Sequence, residues 1–431
     1  MEAKVEFEEF LSRLAVQNAS DISTSYKGVT KKLNKTFHGI DSEERNSLQV
    51  GSYGRKTAIN GISDLDMLFE LPRSLYDKYD SYDSNGQSAL LQDVKKSLQQ
   101  KYPDSDIKGD GQVVVFNHSN CKIEVLPCFG ETDGKYTYPD TNNNGSWKKT
   151  NPKPEIRAIN ELDKESGGVL KKLCKMVRSW KDNVGAPING YLIDTLCYNF
   201  IRDNKTHHNI SYSKYGELCK AFFEYLAKTD KDKNYWLAPG SGDRAFKKGN
   251  FVPKARKAQK LCSKALENEG KEKARKFWKR VFGRKFPNKK IIAKSESRTW
   301  FKDTEEFIED KFPVNIREDL SIECYVQQDG FRKMLLSRIP LLKHRYSLEF
   351  YVKSTTVVRP YRCFWKVRNV GAVAERKNQI RGKIVEDKGK QKRNETSSFD
   401  GDHYVECYII KNGTVVARDA IDVTIKDLED S

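Results

Sequence analysis

Apolar residues over the first 45 positions recur at intervals of three and four, as Phe7, Phe10, Leu11 and Leu14 illustrate, and this period predicts amphipathic helix. Beyond them the period shortens to two. A strand ends at Val50, Gly51 and Ser52 form a turn, and DLDMLFEL (64–71) predicts the next strand, stopped by Pro72. SALLQDVKKSLQQKY predicts a helix closed by Pro103, and GQVVVFNHSNCKIEVLPCF predicts two strands joined by a polar turn at 117–120. PDTNNNGSWKKTNPKPE, crowded with Asn, Gly and Pro, reads as a loop that ends this strand-bearing part.

Helical periodicity dominates from about 156 to 312, including GGVLKKLCKMVRSWKDN and NGYLIDTLCYNFI. The last hundred residues change character: YSLEFYVKSTTVV, YRCFWKVRNVG and HYVECYIIKNGTVVARDAIDVTI are rich in β-branched and aromatic residues, with Asn412-Gly413 as a hairpin turn. ERKNQIRGKIVEDKGKQKRNETSSFDGD interrupts them as a charged loop poor in apolar residues. The expected fold class is α+β in three parts: a mixed-sheet core with N-terminal helices at 1–155, a helical lobe at 156–320, and a β-rich, sandwich-like domain at 321–431.

Length agrees with that division, since 431 residues exceed one ordinary core. No apolar run reaches the roughly 18 residues that would span a bilayer, and the opening MEAKVEFEEFLSRLAVQ is acidic and amphipathic, unlike a secretory leader. The expectation is a soluble, cytoplasmic protein without a membrane partner. Nine cysteines, scattered and set in apolar segments, fit reduced core thiols better than a disulfide framework. The net charge of +18 is concentrated in 244–298, which holds 20 Lys or Arg against 4 Glu. Phe246, Phe251, Phe277, Trp278 and Phe282 lie within that stretch. It reads equally as a nucleic-acid surface or as solvated helices whose apolar sides pack inward.

Candidate chemistry begins at the strand 64–71. Side chains alternate along a strand, so Asp64 and Asp66 share one face while Leu65 and Met67 enter the core. Two carboxylates so placed repel, and a pair of Mg²⁺ ions, or Mn²⁺, supplies the missing charge and bridges a nucleotide's phosphates. Gly51 lets backbone approach a phosphate closely, the Ser52 hydroxyl and following amides can hold it, and Arg55 and Lys56 add positive charge. A third carboxylate is needed, and Glu124 in CKIEVLPCF is the candidate, on a strand expected to neighbour the Asp strand, with Lys122 on its face. Asp106 and Asp110 are weaker rivals in turn-like sequence. Alone, D-x-D is usually a solvated strand edge; the upstream Gly-Ser and the later acidic strand make the combination specific.

VGS, eleven residues and DLDM together resemble the DNA polymerase β-like nucleotidyltransferase superfamily, with IEVLP similar to its third acid strand. GSWKKTNPKPE, LKKLCKMVRSWKDN, NGYLIDTL and FWKRVFGRKFP are similar to the bacterial cGAS/DncV-like (SMODS-type) nucleotidyltransferases over roughly 40–290, and the C-terminal strands resemble the AGS-C module, a proposed sensor. The resemblance implies a cyclic di- or oligonucleotide synthase using ATP, GTP or other NTPs in anti-phage (CBASS) signalling. A soluble product would then act on a downstream effector, and a phage-derived or nucleotide ligand would act on the C-terminal domain. It further implies nucleotide or phosphate contacts from Arg178, Asn189 and Tyr191. Two positions depart from the family pattern: Arg178 stands where a lysine is usual, and Gly190 precedes Tyr191 where many relatives have Ser-Tyr. The alternatives are a linear oligonucleotide synthase or an RNA or protein nucleotidylyltransferase and, in another class, a non-catalytic nucleotide-binding sensor.

Overall fold

The computed structural model describes residues 2–16, 19–61, 64–118, 121–287 and most of 306–425. The end of the basic stretch, 288–298, lies outside the described residues. The contacts group the chain into two compact units. The first comprises Met1–Arg178, Gly190–Tyr225 and Thr229–Lys247, and the second Ser179–Asn189, Leu226–Lys228 and Lys248–Ser431.

The first unit opens with helices α1 (Glu2–Leu14) and α2 (Ala19–Phe37). The expected helix therefore stops short of residue 45; Asn34 folds its side-chain amide back onto the carbonyls of Ser42 and Arg45 and holds the turn that follows. Strand β1 (Ser47–Gln49), the helical turn α3 (Gly51–Gly54), strand β2 (Leu65–Glu70), helices α4 (Arg73–Asp80) and α5 (Gly86–Lys101), and strands β3 (Asp106–Asp110), β4 (Val113–His118) and β5 (Cys121–Gly130) come next. The Gly-Ser turn expected at 51–52 is thus one turn of helix. Seven strands make one mixed sheet in the order β1-β2-β5-β4-β3, with β6 (Tyr136–Asp140) on β5 and β7 (Ser146–Thr150) on β6. β2 and β5 run parallel, in the register Leu65↔Ile123, Asp66↔Glu124 and Met67↔Val125.

Helices α2 and α5 cover one face of this sheet. Val29, Leu33, Leu90, Leu91, Val94 and Leu98 pack there against Leu65, Met67, Ile123 and Val125 in a single core. Burying that set fixes the register, because a slip of one residue would turn every apolar side chain to the other face. The segment expected to be a loop after 138 is instead the β6–β7 hairpin. Asn143, Asn144 and Gly145 all take positive φ in its tip, a conformation that Asn tolerates better than other side-chain-bearing residues and Gly adopts freely. Its second strand is half-exposed and lacks apolar alternation, so its sequence signals only the turn.

Helices α6 (Pro152–Glu165), α7 (Val169–Val184), α8 (Gly190–Asp203) and α9 (Tyr215–Ala227) follow, then a two-stranded ribbon of β8 (Tyr235–Leu237) and β9 (Arg244–Phe246). No helix among the described residues is long and apolar enough to cross a membrane.

The second unit carries α10 (Val252–Glu267) and α11 (Glu272–Phe282). Phe251, Phe277, Trp278 and Phe282 are buried, as expected for helices whose apolar sides pack inward; Phe246, on β9 of the first unit, is exposed. Cations of the basic stretch are partly spent inside the unit: Lys254 pairs with Asp419 at 2.9 Å, and Lys257 and Arg280 both pair with Asp422 at 2.7 Å.

The β-rich part comprises two antiparallel four-stranded sheets. Strands β10 (Leu320–Gln327), β11 (Met334–Leu335) and β12 (Ser347–Thr355) with β15 (Lys392–Thr396) form one, in the order β11-β10-β12-β15. The other, in the order β14-β13-β16-β17, joins β13 (Arg362–Arg368), β14 (Arg381–Glu386), β16 (Gly401–Lys411) and β17 (Thr414–Ile425). Ile322, Cys324 and Phe350 of one sheet share a core with Trp365, Cys407 and Ile409 of the other, the arrangement of a sandwich. β14 and β15 lie inside the segment expected to be a charged loop. They are sheet edges with outward charges, Arg381 pairing with Glu395 at 2.5 Å, so they lack a strand's hydrophobic content. The eight described cysteines are buried and unbridged.

Candidate active site

The face of β2 and β5 turned away from the α2/α5 core carries the acids. Leu65, Met67, Ile123 and Val125 are fully buried on the core side, which forces Asp66 and Glu124, paired in register, onto the opposite side with Asp64 and Lys122. The Lys122 ammonium stands between two of the acids, donating to Asp64 Oδ2 at 2.9 Å and to Glu124 Oε1 at 2.5 Å. Burial, then repulsion from Glu124 and Asp64, pushes the Asp66 carboxyl up to about 7 despite Arg55 and Lys122 nearby. Beyond Asp66 the same face turns apolar, where Leu68, Cys128 and Tyr136 cluster. The rivals Asp106 and Asp110 lie on β3, which is an edge strand separated from β5 by β4.

Gly51 touches this group directly. Its φ is +60°, and a Cβ placed on it would lie 1.7 Å from Asp66 Oδ2 and 2.9 Å from Asp66 Cβ. The Asp66 carboxylate therefore occupies the volume that a side chain at 51 would need. The amides of Gly51 and Ser52 open α3, where a helix offers its first N–H groups no acceptor of its own. Ser52 is half-buried, and Lys56, at φ +58°, is exposed.

Arg55 and Arg178 are buried, and both are held by one carboxylate. Asp194 Oδ2 accepts from Arg55 Nε at 2.9 Å, from Thr57 Oγ1 at 2.9 Å and from Arg178 Nη2 at 2.7 Å. Burial pushes the Asp194 carboxyl up, and Arg178 and Arg55 more than reverse it, leaving it below its ordinary value. Arg178 Nη2 also donates to the carbonyl of Gly190 at 3.1 Å. Tyr191 lies beside this group: its hydroxyl donates to Glu155 Oε1 at 2.5 Å, and Arg55 stands over its ring at 5.4 Å from the centroid. Burial and Glu155 raise its phenol well above the ordinary value. Asn189, half-buried, directly precedes α8.

The two departures from the family pattern meet here. A Cβ on Gly190 would lie 2.3 Å from Arg178 Nη1 and 3.2 Å from its Cζ. The arginine's longer, forked head fills the space a serine would use, so Arg178 as placed leaves room only for glycine at 190.

Three groups in this arrangement carry no role in the sequence reading: Lys122, Asp194 and Glu155. Asp194 leaves a trace in NGYLIDTL, where a carboxylate inside an apolar helix demands a buried cationic partner. The sequence does not say which partner.

Asp64, Asp66 and Glu124 supply the oxygen donors that a divalent cation takes. They crowd three carboxylates onto one face with a single ammonium against them, and Gly51 leaves Asp66 its room. No set of three His, Cys, Asp or Glu among the described residues is arranged as a ready metal cage, and Lys122 stands between two of these acids.

A mixed sheet with acids on adjacent strands beside a glycine-led helical turn is the framework of a nucleotidyltransferase. Residues 1–163 match the family model of the Second Messenger Oligonucleotide or Dinucleotide Synthetase domain, and 302–426 that of the Adenylyl/Guanylyl and SMODS C-terminal sensor domain. The chain thus joins a nucleotidyltransferase domain of the first family to a C-terminal domain of the second. It is 23% identical over 273 residues to a protein named probable cyclic nucleotide synthase from Bacillus cereus (strain VD146), covering 55% of this chain and 81% of that one. It is 22% identical over 317 residues to the cyclic AMP-AMP-AMP synthase of Acinetobacter sp. (strain ATCC 27244 / 9458), covering 67% and 86%. The fold is shared with E. coli MS115-1 CdnC in its HORMA-deltaN complex, at TM-score 0.51 and 16% identity over 67% of this chain and 98% of that one.

Proposed function

We propose that this enzyme joins nucleoside triphosphates, ATP, GTP or others, into a cyclic di- or oligonucleotide that serves as a cytoplasmic second messenger in bacterial anti-phage (CBASS) defence. The observation that carries the reading is the register Asp66↔Glu124 across β2 and β5, which gathers the carboxylates on the face that Gly51 abuts. The cyclic products named for the two relatives favour ring closure over a linear ladder.

Asp64, Asp66 and Glu124 hold Mg²⁺, or Mn²⁺, which when bound offsets the triphosphate's charge and polarises the α-phosphate. The amides that open α3 and the Ser52 hydroxyl bind phosphate oxygens, with Lys56 adding charge. Arg55 and Arg178, fixed by Asp194, lie beside them as further phosphate contacts, and Asn189 and Tyr191 contact the donor nucleotide. A ribose hydroxyl oxygen bonds to the α-phosphorus as the bond from that phosphorus to the bridging oxygen breaks. Pyrophosphate leaves, and the hydroxyl proton passes to Glu124. A second transfer, within the linear product, closes the ring. The C-terminal sandwich takes a phage-derived or nucleotide ligand that regulates this activity.

The test is incubation with the four ribonucleoside triphosphates and Mg²⁺, followed by phosphatase treatment and mass spectrometry. A phosphatase-resistant cyclic product is expected from the wild type and none from Asp64→Asn/Asp66→Asn. Equal product from the double variant, or a linear ladder from the wild type, would sink the assignment.

A further inference from the structure

Lys122 has no part in the transfer just described, yet it occupies the centre of the acid group. We propose that Lys122 is the resident counter-ion of the metal-free site, and that a divalent cation binds by displacing its ammonium from Asp64 and Glu124. The proposal rests on the reading of these acids as metal ligands and adds the residue that sets their affinity.

Geometry leaves Lys122 little choice of position. It lies two residues before Glu124 on β5, so both point the same way, and the pairing of Leu65 with Ile123 sets Asp64 beside it on the parallel strand. One ammonium thereby reaches two carboxylates, at 2.9 and 2.5 Å. All three side chains keep a quarter of their surface exposed, so the contact opens to solvent and is not sealed in the core. Three carboxyl groups face one ammonium, so the group is short of positive charge, which a divalent ion supplies. A cation seated on Asp64 and Glu124 meets the lysine in its place, and two positive centres within hydrogen-bond reach of the same oxygens exclude each other. The lysine's flexible four-carbon stem lets it withdraw without disturbing the strand. Lys122 is on this account a positioning residue: it keeps the acids together and unreactive toward metal until the ion is offered.

The test is Mn²⁺ titration of the nucleotide-free protein, by calorimetry or by the paramagnetic signal of free Mn²⁺, in the wild type, Lys122→Met, Lys122→Arg and Asp66→Asn. Removing the competing charge in Lys122→Met is expected to tighten Mn²⁺ binding about tenfold, one tenfold step being 1.4 kcal/mol, and to lower the melting temperature of the metal-free protein. Lys122→Arg, which keeps the charge and grips carboxylates as a fork, is expected to bind Mn²⁺ no more tightly than the wild type. Unchanged or weaker binding in Lys122→Met, or tighter binding in Lys122→Arg, overturns the proposal while Asp66→Asn still abolishes uptake. Wild-type Mn²⁺ affinity in Asp66→Asn overturns the metal-site reading, and this proposal with it. Should Lys122→Met not fold without metal, the Lys122→Arg comparison decides.

Discussion

Gly51→Ala is the sharpest single test of how the site is built. Two separate costs follow from the structure. A left-handed backbone costs an L residue about 1–2 kcal/mol, and Gly51 sits at φ +60°. The new Cβ would also lie 1.7 Å from Asp66 Oδ2 and 2.9 Å from Asp66 Cβ, so rotating the carboxylate away does not by itself relieve the contact. Forcing Asp66 off its rotamer adds about 0.5–1.5 kcal/mol, for a total of about 1.5–3.5 kcal/mol. For a unit of this size that lowers the melting temperature by about 3–14 °C. Activity should suffer more than stability, because displacement of a reacting group by about 1 Å costs on the order of a hundredfold. The assay is pyrophosphate release at a temperature where both proteins are folded, beside thermal unfolding with and without Mg²⁺. Gly134→Ala supplies the control. Its φ is +81° and no described neighbour approaches the added Cβ, so it bears the backbone cost without the collision and keeps its turnover. A Gly51→Ala enzyme within twofold of wild-type turnover would refute the argument that Asp66 and Gly51 share one volume.

Three further outcomes follow from contacts already described. Asp194→Asn leaves Arg178 buried without its counter-charge and Arg55 with only Glu155, 3.6 Å away, and should destabilise the first unit by about 3–5 kcal/mol, read from urea unfolding; a loss below about 1 kcal/mol, the worth of a surface pair, would show that the cluster carries little. Gly190→Ser collides with Arg178 and should cost about 1–3 kcal/mol, whereas Arg178→Lys/Gly190→Ser should recover at least about 1 kcal/mol of it; strict additivity in that cycle would argue against a shared space. In the sandwich, burial pushes the Glu406 carboxyl up while Lys366 and Arg418 draw it down to about 2. A depressed folded value stabilises above the unfolded value near 4.5 and is lost as pH falls toward 2, an effect of roughly 3 kcal/mol. Near-UV circular dichroism across that window should show Glu406→Gln less stable at pH 7 and flatter toward acid than the wild type, and parallel curves would contradict the assignment.

The strand-borne acids were legible because a period of two fixes faces whatever the tertiary structure. Leu65 and Met67 had to go one way, so Asp64 and Asp66 had to go the other. The sandwich was legible for the same reason, from β-branched and aromatic runs and one Asn-Gly turn. Strands carried by hydrogen bonds and charge pairs were not: β7 and β15 bury little and hide behind Asn, Lys and Arg. Pairings between distant segments were also out of reach. Lys122 could be placed on a face, but its bond to Asp64 needs the β2/β5 register, and the collision between 190 and 178 needs two helices in place. The basic stretch shows the limit of composition. Its count of cations left a nucleic-acid surface and inward-packing helices equally open, and Lys254, Lys257 and Arg280 are matched by two aspartates of a strand more than 130 residues later.

The parallel pairing of β2 with β5 has a consequence for how this protein can change. The acids are aligned by two neighbouring backbones, not by the connection 71–120 between them, which forms its own helices and hairpin. Residues can be gained or lost in the surface turns of that connection with the alignment kept, which leaves those turns free to diverge in length among related chains or to accept an inserted tag. One residue added between Leu65 and Asp66, or between Ile123 and Glu124, would instead turn a carboxylate into the hydrophobic core. A scan of single-residue insertions should find tolerance in the surface turns of 71–120 and a sharp drop on entering either strand.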